Sequence, residues 1–371
     1  MENPIKFFNI DNWERLTEIN TLGTRNKFIV LNPETNESFY FKTSLYKEVN
    51  GRVKSYPFEF WSEIVASILG EMLHLPVLHY DIASFRDSLG CISKNMVSSN
   101  EEMTEGDRVI MQYFPTFFDS ADYKKNHNLN LIHTCLARLG FLQFKRIAIE
   151  MLLFDCIIGN TDRHSQNWAL IKHNSQEWDS IRAVFNRTLT AKDIVLFVTH
   201  PKFFFAWRNF VKKRREVINF LHKETRQPKS ELKKILKSSI YKFAPFYDNG
   251  SSLGRELDDG RIVDMSELNS VKFDKYFNNG FPDIRVRDRK TSFIETIEVL
   301  IEDFPNECNH FLKNHLSHYN KEHLTSLINN MDSAVRYEAY ESFLPSEQRK
   351  AFYVKLIDSR IQYFINYISR K

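Results

Sequence analysis

A chain of 371 residues, 42% hydrophobic and 26% charged, has the make-up of a soluble globular protein with two or three packed subdomains. Its net charge of +4 singles out no class of partner, and no apolar run approaches the ~20 residues that span a bilayer. The start, Met1-Glu2-Asn3-Pro4, lacks the basic and apolar regions of a secretory signal, and Cys91, Cys135, Cys156 and Cys308 are too far apart for a disulfide framework or zinc ribbon. A reducing cytoplasm is therefore the expected setting, with export as an effector left open.

Residues 18–47 read as β structure. The alternation Lys27-Phe28-Ile29-Val30-Leu31, the polar turn Asn32–Glu37 and the return Ser38-Phe39-Tyr40-Phe41-Lys42 predict a hairpin. Over 57–73 the apolar period lengthens, with Phe60, Ile64, Ile68 and Met72 on one helical face. Val77–Phe85 and Asp107–Phe114 read as further strands. From about residue 128 the pattern turns helical. Leu139–Ile158 is apolar enough to be a buried helix, and Gly159-Asn160-Thr161-Asp162 breaks it. Residues 176–242 look helical and polar, bounded at Pro201 and Pro228, and 291–371 form a helical tail with Ser346 as a cap. The order is a β-rich N-terminal lobe, 1–115, and a mostly α-helical C-terminal lobe, 116–371, interrupted at about 176–242: an α+β, bilobal chain.

Phosphoryl transfer needs a carboxylate beside the attacking hydroxyl and oxygen ligands for the magnesium that bridges the phosphates. Protein kinases supply these with an Asp followed five residues later by an Asn, and Asp162 and Asn167 have that spacing. Asp248-Asn249-Gly250, at the end of an apolar strand, places a second carboxylate where a kinase holds magnesium; an Asn-Gly hairpin turn is the plainer reading of that tripeptide alone. Gly23-Thr24-Arg25-Asn26 can offer free N–H groups to phosphates, although with a single glycine. Lys42 on the return strand can neutralise phosphates, and Glu63 on the next helix is placed to pair with it. Each piece is common by chance. Their shared order, strand lysine, helix glutamate, Asp-x-x-x-x-Asn and Asp-x-Gly, is not.

With "IIGNTDRHSQNWAL" and "APFYDNGSSL", supported by "GTRNK", "FYFKTS", "SEIVASILGEML" and "LPSEQRKAFYVKLIDSRIQYF", the chain resembles the HipA-like serine/threonine kinases, across residues 18–173 and 241–371. The resemblance implies a protein-kinase-like, phosphoinositide-kinase-like fold and an enzyme that uses ATP and Mg2+. It implies Asp162 as catalytic base, Asn167 and Asp248 as magnesium ligands and Lys42 at the phosphates. Gln112 and Phe114 would lie at the adenine pocket, and His164 and Gln166 would flank the nucleotide. A protein substrate, an antitoxin partner and a growth-arresting toxin or effector role also follow from it. A small-molecule or lipid kinase, or an inactive kinase-like binding module, are the alternatives on the same core.

HipA itself carries a further N-terminal subdomain, whereas about 20 residues precede Gly23 here. Its regulatory serine corresponds to Asn20, so inhibitory autophosphorylation is expected at Thr21 or Thr24. Cys308, His310, His315, His318 and His323 cluster in the helical tail, and His315 and His318 share a helix face with Cys308, so a metal site is geometrically possible, although solvated helix histidines are the simpler reading.

The charge is unevenly spread. Between Lys202 and Lys242 there are 13 Lys and Arg against three Glu, a local net of +10. Lys212, Lys213, Arg214 and Arg215 are expected to dock an acidic, nucleic-acid-associated protein substrate; direct nucleic-acid binding is left open. Changing these four to Glu should raise the KM for that substrate at low salt and leave ATP affinity unchanged; equal KM values would mark a solvated helix face.

Overall fold

The computed structural model describes residues 5–16, 27–49, 52–119, 123–173, 241–267 and 270–371, with a few positions between 212 and 229. Gly23, Thr24, Arg25 and Asn26, the alternative phosphorylation sites Thr21 and Thr24, and most of the basic insertion lie outside the described residues. The chain divides into two compact units.

The larger unit holds residues 1–96, 104–169 and 243–371. Its six-stranded sheet runs β1 (Phe7–Asn9), β7 (Asp81–Phe85), β8 (Ser88–Lys94), β4 (Ser38–Thr43), β3 (Lys27–Leu31) and β2 (Glu14–Leu16). Only β1 and β7 pair in parallel. The predicted hairpin is β3–β4. In its turn Asn32 Oδ1 accepts from the Glu34 N–H at 2.8 Å, so the Asx side chain sets the bend. Alternation sends Phe28, Val30 and Phe41 inward with Ile10, Ala83 and Ile92, and the Phe28 and Phe41 rings lie 5.2 Å apart. Lys42 is flanked across the ladder by Lys27 and Cys91. A second hairpin joins β5 (Tyr46–Val49) and β6 (Arg52–Ser55).

The predicted helix over 57–73 is α1 (Glu59–Met72). It packs on β4 and β8 and buries Phe60, Trp61, Ile64, Val65, Ile68 and Leu69. Among the described residues the helical region then comprises α2 (Gly106–Met111), α3 (Tyr123–Asn126), α4 (Leu129–Arg138), α5 (Phe144–Ile158), α6 (Asp259–Ser266), α7 (Val271–Asn278), α8 (Phe293–Asp303), α9 (Pro305–Asn314), α10 (Lys321–Asn330) and α11 (Glu347–Ile368). The apolar helix α5 is its axis, packed by α4, α8, α9 and α11. Polar residues mark the starts of these helices as the sequence indicates: Asn128, Asp258, Ser292, Asn320 and Ser346 each accept the N–H three residues on. No helix of the described residues is long and apolar enough to cross a membrane.

Two expectations need correction. Residues 107–114 are not a strand: 106–111 form α2, with Val109 and Ile110 buried on its inner face. The strand lies just before, as β9 (Glu101–Glu105). In the stretch 77–85 only 81–85 joins the sheet, while Val77 bridges Phe246 in parallel.

The smaller unit holds residues 97–103 and 170–242. A three-stranded sheet places β10 (Ala169–His173) between β9 and β11 (Tyr241–Phe243), and Lys242 pairs with Glu101 at 2.7 Å.

Phe41 is 1% exposed and central to the aromatic core beneath Lys42. Phe41→Ala should cost about 3–5 kcal/mol of stability, read as a fall in the urea midpoint. A loss below 1 kcal/mol would show that this sheet face is not the core.

Candidate active site

The segment after α5 is held by its own polar side chains. Gly159 ends the helix in the left-handed region (φ 73°), where a side chain would be strained and would also strike Arg360. The N–H groups of Gly159 and Asn160 both reach the Asp155 carbonyl, at 2.8 and 2.9 Å. Asn160 then accepts from the Asp162 N–H at 3.1 Å and donates to Asp155 Oδ1 at 3.1 Å. Asn167 donates its side-chain amide to the Asp162 carbonyl at 2.7 Å. The five-residue step thus closes into a loop with Asp162 and Asn167 together, and the Asn167 Oδ1 is not spent in that bond.

Inside the loop lies Arg163, fully buried. Its Nη2 donates to Asp155 Oδ1 at 2.7 Å and its Nε to Oδ2 at 2.9 Å, a forked pair with an equally buried carboxylate. The remaining donors reach the carbonyls of Asn167 (2.9 Å) and Tyr247, and Asn249 Oδ1 (2.6 Å). Burial opposes the guanidinium charge, but Asp155 and Asp248 outweigh it and hold its pKa above the ordinary value.

The second loop follows Phe246, whose N–H and carbonyl bond to the Pro76 carbonyl and the Leu78 N–H. Asp248 takes a positive φ of 55°, which turns the chain. Lys42 Nζ pairs with Glu63 and lies 3.1 Å from Asp248 Oδ1. Burial would lower the Lys42 pKa, yet the charges of Glu63 and Asp248, with Tyr80, drive it well above normal, so the ammonium is permanent. Glu63 is fully buried and also accepts the Asn249 N–H at 2.8 Å. A Cβ on Gly250 would stand 2.9 Å from Glu63 and 3.1 Å from Glu59, so only glycine lets this turn approach α1. Thr161 donates its N–H to the Ser251 carbonyl at 3.1 Å, and Ser251 Oγ lies 3.5 Å from Asp162 Oδ2. Among the sequence candidates, Lys42, Glu63, Asp162, Asn167 and Asp248 therefore belong to one connected network.

The remaining candidates divide. Gln166 donates to Asp107 Oδ2 at 2.9 Å, and its own N–H reaches His164 Nδ1 at 3.2 Å, so both sit where the loop meets the start of α2. There Asp107 N–H bonds the Ser165 carbonyl and Gly106 N–H the Trp168 carbonyl. Burial and Asp107 push the Glu105 carboxyl up, while Arg108, Lys27 and His164 pull the other way. Gln112 is instead exposed beyond the last turn of α2, and Phe114 packs against Arg138 of α4, 4.9 Å from its guanidinium. Among the described residues, no hydrogen bond or ring contact of either reaches the Lys42 network. Sequence reasoning did not single out Asp155, Arg163 and Asn249. A carboxylate set within the apolar run of α5, Asp155, was the available signal.

No known protein-family model matches the sequence, and none of the curated proteins does. Solved structures do. The proinflammatory kinase CtkA of Helicobacter pylori superposes with a TM-score of 0.65 at 16% identity, covering 98% of each chain. HipA of Shewanella oneidensis MR-1, solved with HipB and operator DNA, gives 0.41 at 11% identity, over 95% of this chain and 66% of that one. At these identities the likeness is one of fold. The chain has a kinase-like α+β fold: a mixed-sheet N-terminal lobe followed by a helical C-terminal lobe.

Removing one partner of a buried ion pair strands the other charge. Arg163→Met should therefore cost about 3–5 kcal/mol, and adding Asp155→Leu should restore a large part of it. Urea titrations of both singles and the double test this; additive losses would show that the pair is not coupled.

Proposed function

We propose that this protein is an ATP- and Mg2+-dependent kinase of the HipA type that phosphorylates a protein serine or threonine. One observation carries the reading: Lys42, paired with buried Glu63, reaches Asp248 at 3.1 Å, so the strand lysine, the helix glutamate and the Asp-x-Gly carboxylate form one constellation. The oxygen donors suit a hard cation. Asn167 spends its amide nitrogen on the Asp162 carbonyl, which leaves a carbonyl oxygen to join the Asp248 carboxylate. Asn167 and Asp248 would hold Mg2+, whose charge would offset that of the ATP phosphates.

In this reading Lys42 holds the phosphates, and Glu63 keeps the ammonium from swinging away. Asp162 orients the acceptor hydroxyl and takes its proton. Glu105–Asp107, bonded to the 165–168 segment, is the junction we assign to the adenine side, with His164 and Gln166 beside it. A cavity of about 330 Å³ lies against the same loop, bordered by Thr161, Ser251, Arg255, Tyr276 and Arg360, and is the approach we assign to the acceptor. The lobe boundary near residue 115, the basic insertion as a docking element and an antitoxin partner belong to the same proposal. An inactive binding module would have no need for the joint presence of Lys42, Asp162, Asn167 and Asp248.

Asp162→Asn should retain ATP binding and lose about 10²–10⁴-fold in turnover, because the proton acceptor alone is removed. Asp248→Asn should weaken Mg2+–ATP binding as well. Nucleotide thermal shifts and transfer of labelled phosphate to lysate proteins separate the two effects. Unchanged turnover in Asp162→Asn sinks the assignment, and label passing only to small molecules or lipids would redirect the acceptor class.

A further inference from the structure

On α5, five residues before Asp155, Glu150 projects toward α9 and the turn that follows it. Glu150 is only 4% exposed. Its Oε1 lies 3.2 Å from His310 Nδ1 and 3.6 Å from His315 Nε2, and one donor atom from each residue falls within 4.8 Å of the others. Glu150 Oε1 and His310 Nδ1 are both buried without a well-formed hydrogen bond. At His315 burial opposes a charge, but Glu150 and the Leu73 carbonyl outweigh it and raise the ring's pKa.

The other ring nitrogen of His315 explains what is missing. His315 Nδ1 lies 2.9 Å from the Leu73 carbonyl, which can only accept, so Nδ1 carries the proton. Nε2, 3.6 Å from the Glu150 carboxylate oxygen, is then the nitrogen whose lone pair a metal ion would take up in place of a proton. This is the arrangement of a metal-binding histidine whose remote N–H is fixed by a backbone carbonyl. Tetrahedral zinc, with bonds of about 2.0–2.1 Å, sets its ligand atoms roughly 3.3 Å apart; the observed 3.2 and 3.6 Å bracket that separation. His310, with a third of its side chain exposed, leaves an entry path and a position for water.

The neighbours are consistent with this. Arg146 Nε lies 3.4 Å from the same oxygen, but its side chain is half exposed and can turn to solvent. Cys308 is buried, and burial, with Glu307, pushes its thiol up to about 12; it stays outside the donor set. His318 stacks on His74, ring centroids 4.0 Å apart, so of the helix-face grouping Cys308, His315 and His318 expected from the sequence only His315 enters the donor set, where His310 joins it.

We propose that Glu150, His310 and His315 bind a zinc ion. Because His315 is anchored to Leu73 at the end of α1, the ion would fasten the helix that carries Glu63 to the helix that carries Asp155. The full chain, stripped with a chelator, should take up one Zn2+ or Co2+ at this site. Co2+ should give the visible absorption of a four-coordinate N/O site, and Zn2+ should raise Tm. His310→Ala and the near-isosteric Glu150→Gln should each weaken Co2+ binding by at least the 10–100-fold that outer-shell changes cost, while His323→Ala, at an exposed histidine outside the cluster, should bind as the wild type does. Two results would overturn the proposal. Metal uptake unchanged in both variants would place the ion on other histidines, and no uptake or Tm change in the wild type would leave only an ion pair between Glu150 and protonated histidine.

Discussion

Burying a guanidinium and a carboxylate together costs several kcal/mol per ion, and attraction repays it only when geometry is good and every remaining donor is used. Arg163 and Asp155 meet that condition in this fold. Two of the arginine's nitrogens fork onto Asp155, and the remaining bonds go to Asn167, Tyr247 and Asn249. Asp155 sits on the buried axis α5, so the arginine transmits the position of that helix to both loops. Displacing either loop would leave a charge unpaired in the core. The rigidity of the proposed phosphoryl-transfer site thus originates in a pair that lies outside the groups assigned to the chemistry.

Asn249 links this network to the N-terminal lobe. Its side-chain oxygen accepts from Arg163, while its backbone N–H donates to Glu63, which in turn pairs with Lys42. A continuous polar path therefore runs from α5, through the Asp248–Gly250 turn, to the strand lysine. Asn249 is the middle residue of the Asp-x-Gly motif, the one position that the phosphate chemistry leaves unspecified. Gly250 has its own constraint, since the turn must press within contact distance of Glu59 and Glu63 on α1. Motif spacing and motif composition consequently answer to different demands: the carboxylate to the ion, the neighbours to the packing.

Much of this was legible before any coordinates. The β3–β4 hairpin follows from strict alternation around an Asx turn, α1 from its change of period, and the helical tail from its caps. Residues 107–114 misled because a short apolar run has no period of its own. Val109 and Ile110 are buried in the helix, and the bonds from Gly106 and Asp107 to the 165–168 segment, which start the helix, are tertiary. The strands β1 and β2 were missed because three residues each carry too little pattern to stand out.

By itself the sequence determined the order of the lobes and singled out the groups we propose for phosphate and metal, because these rest on residue type and local spacing. Lys42, Glu63, Asp162, Asn167 and Asp248 could all be picked out in this way. Only the tertiary structure decided what holds them in register. Asp155 and Arg163 are eight residues apart, Arg163 and Asn249 are 86 apart, and Glu63 and Asn249 are 186 apart. Apart from Asp155, set in an apolar helix, nothing local distinguishes such residues from surface charges and turn amides. Their meaning comes from burial, where an unpaired polar group is costly enough to dictate its partner.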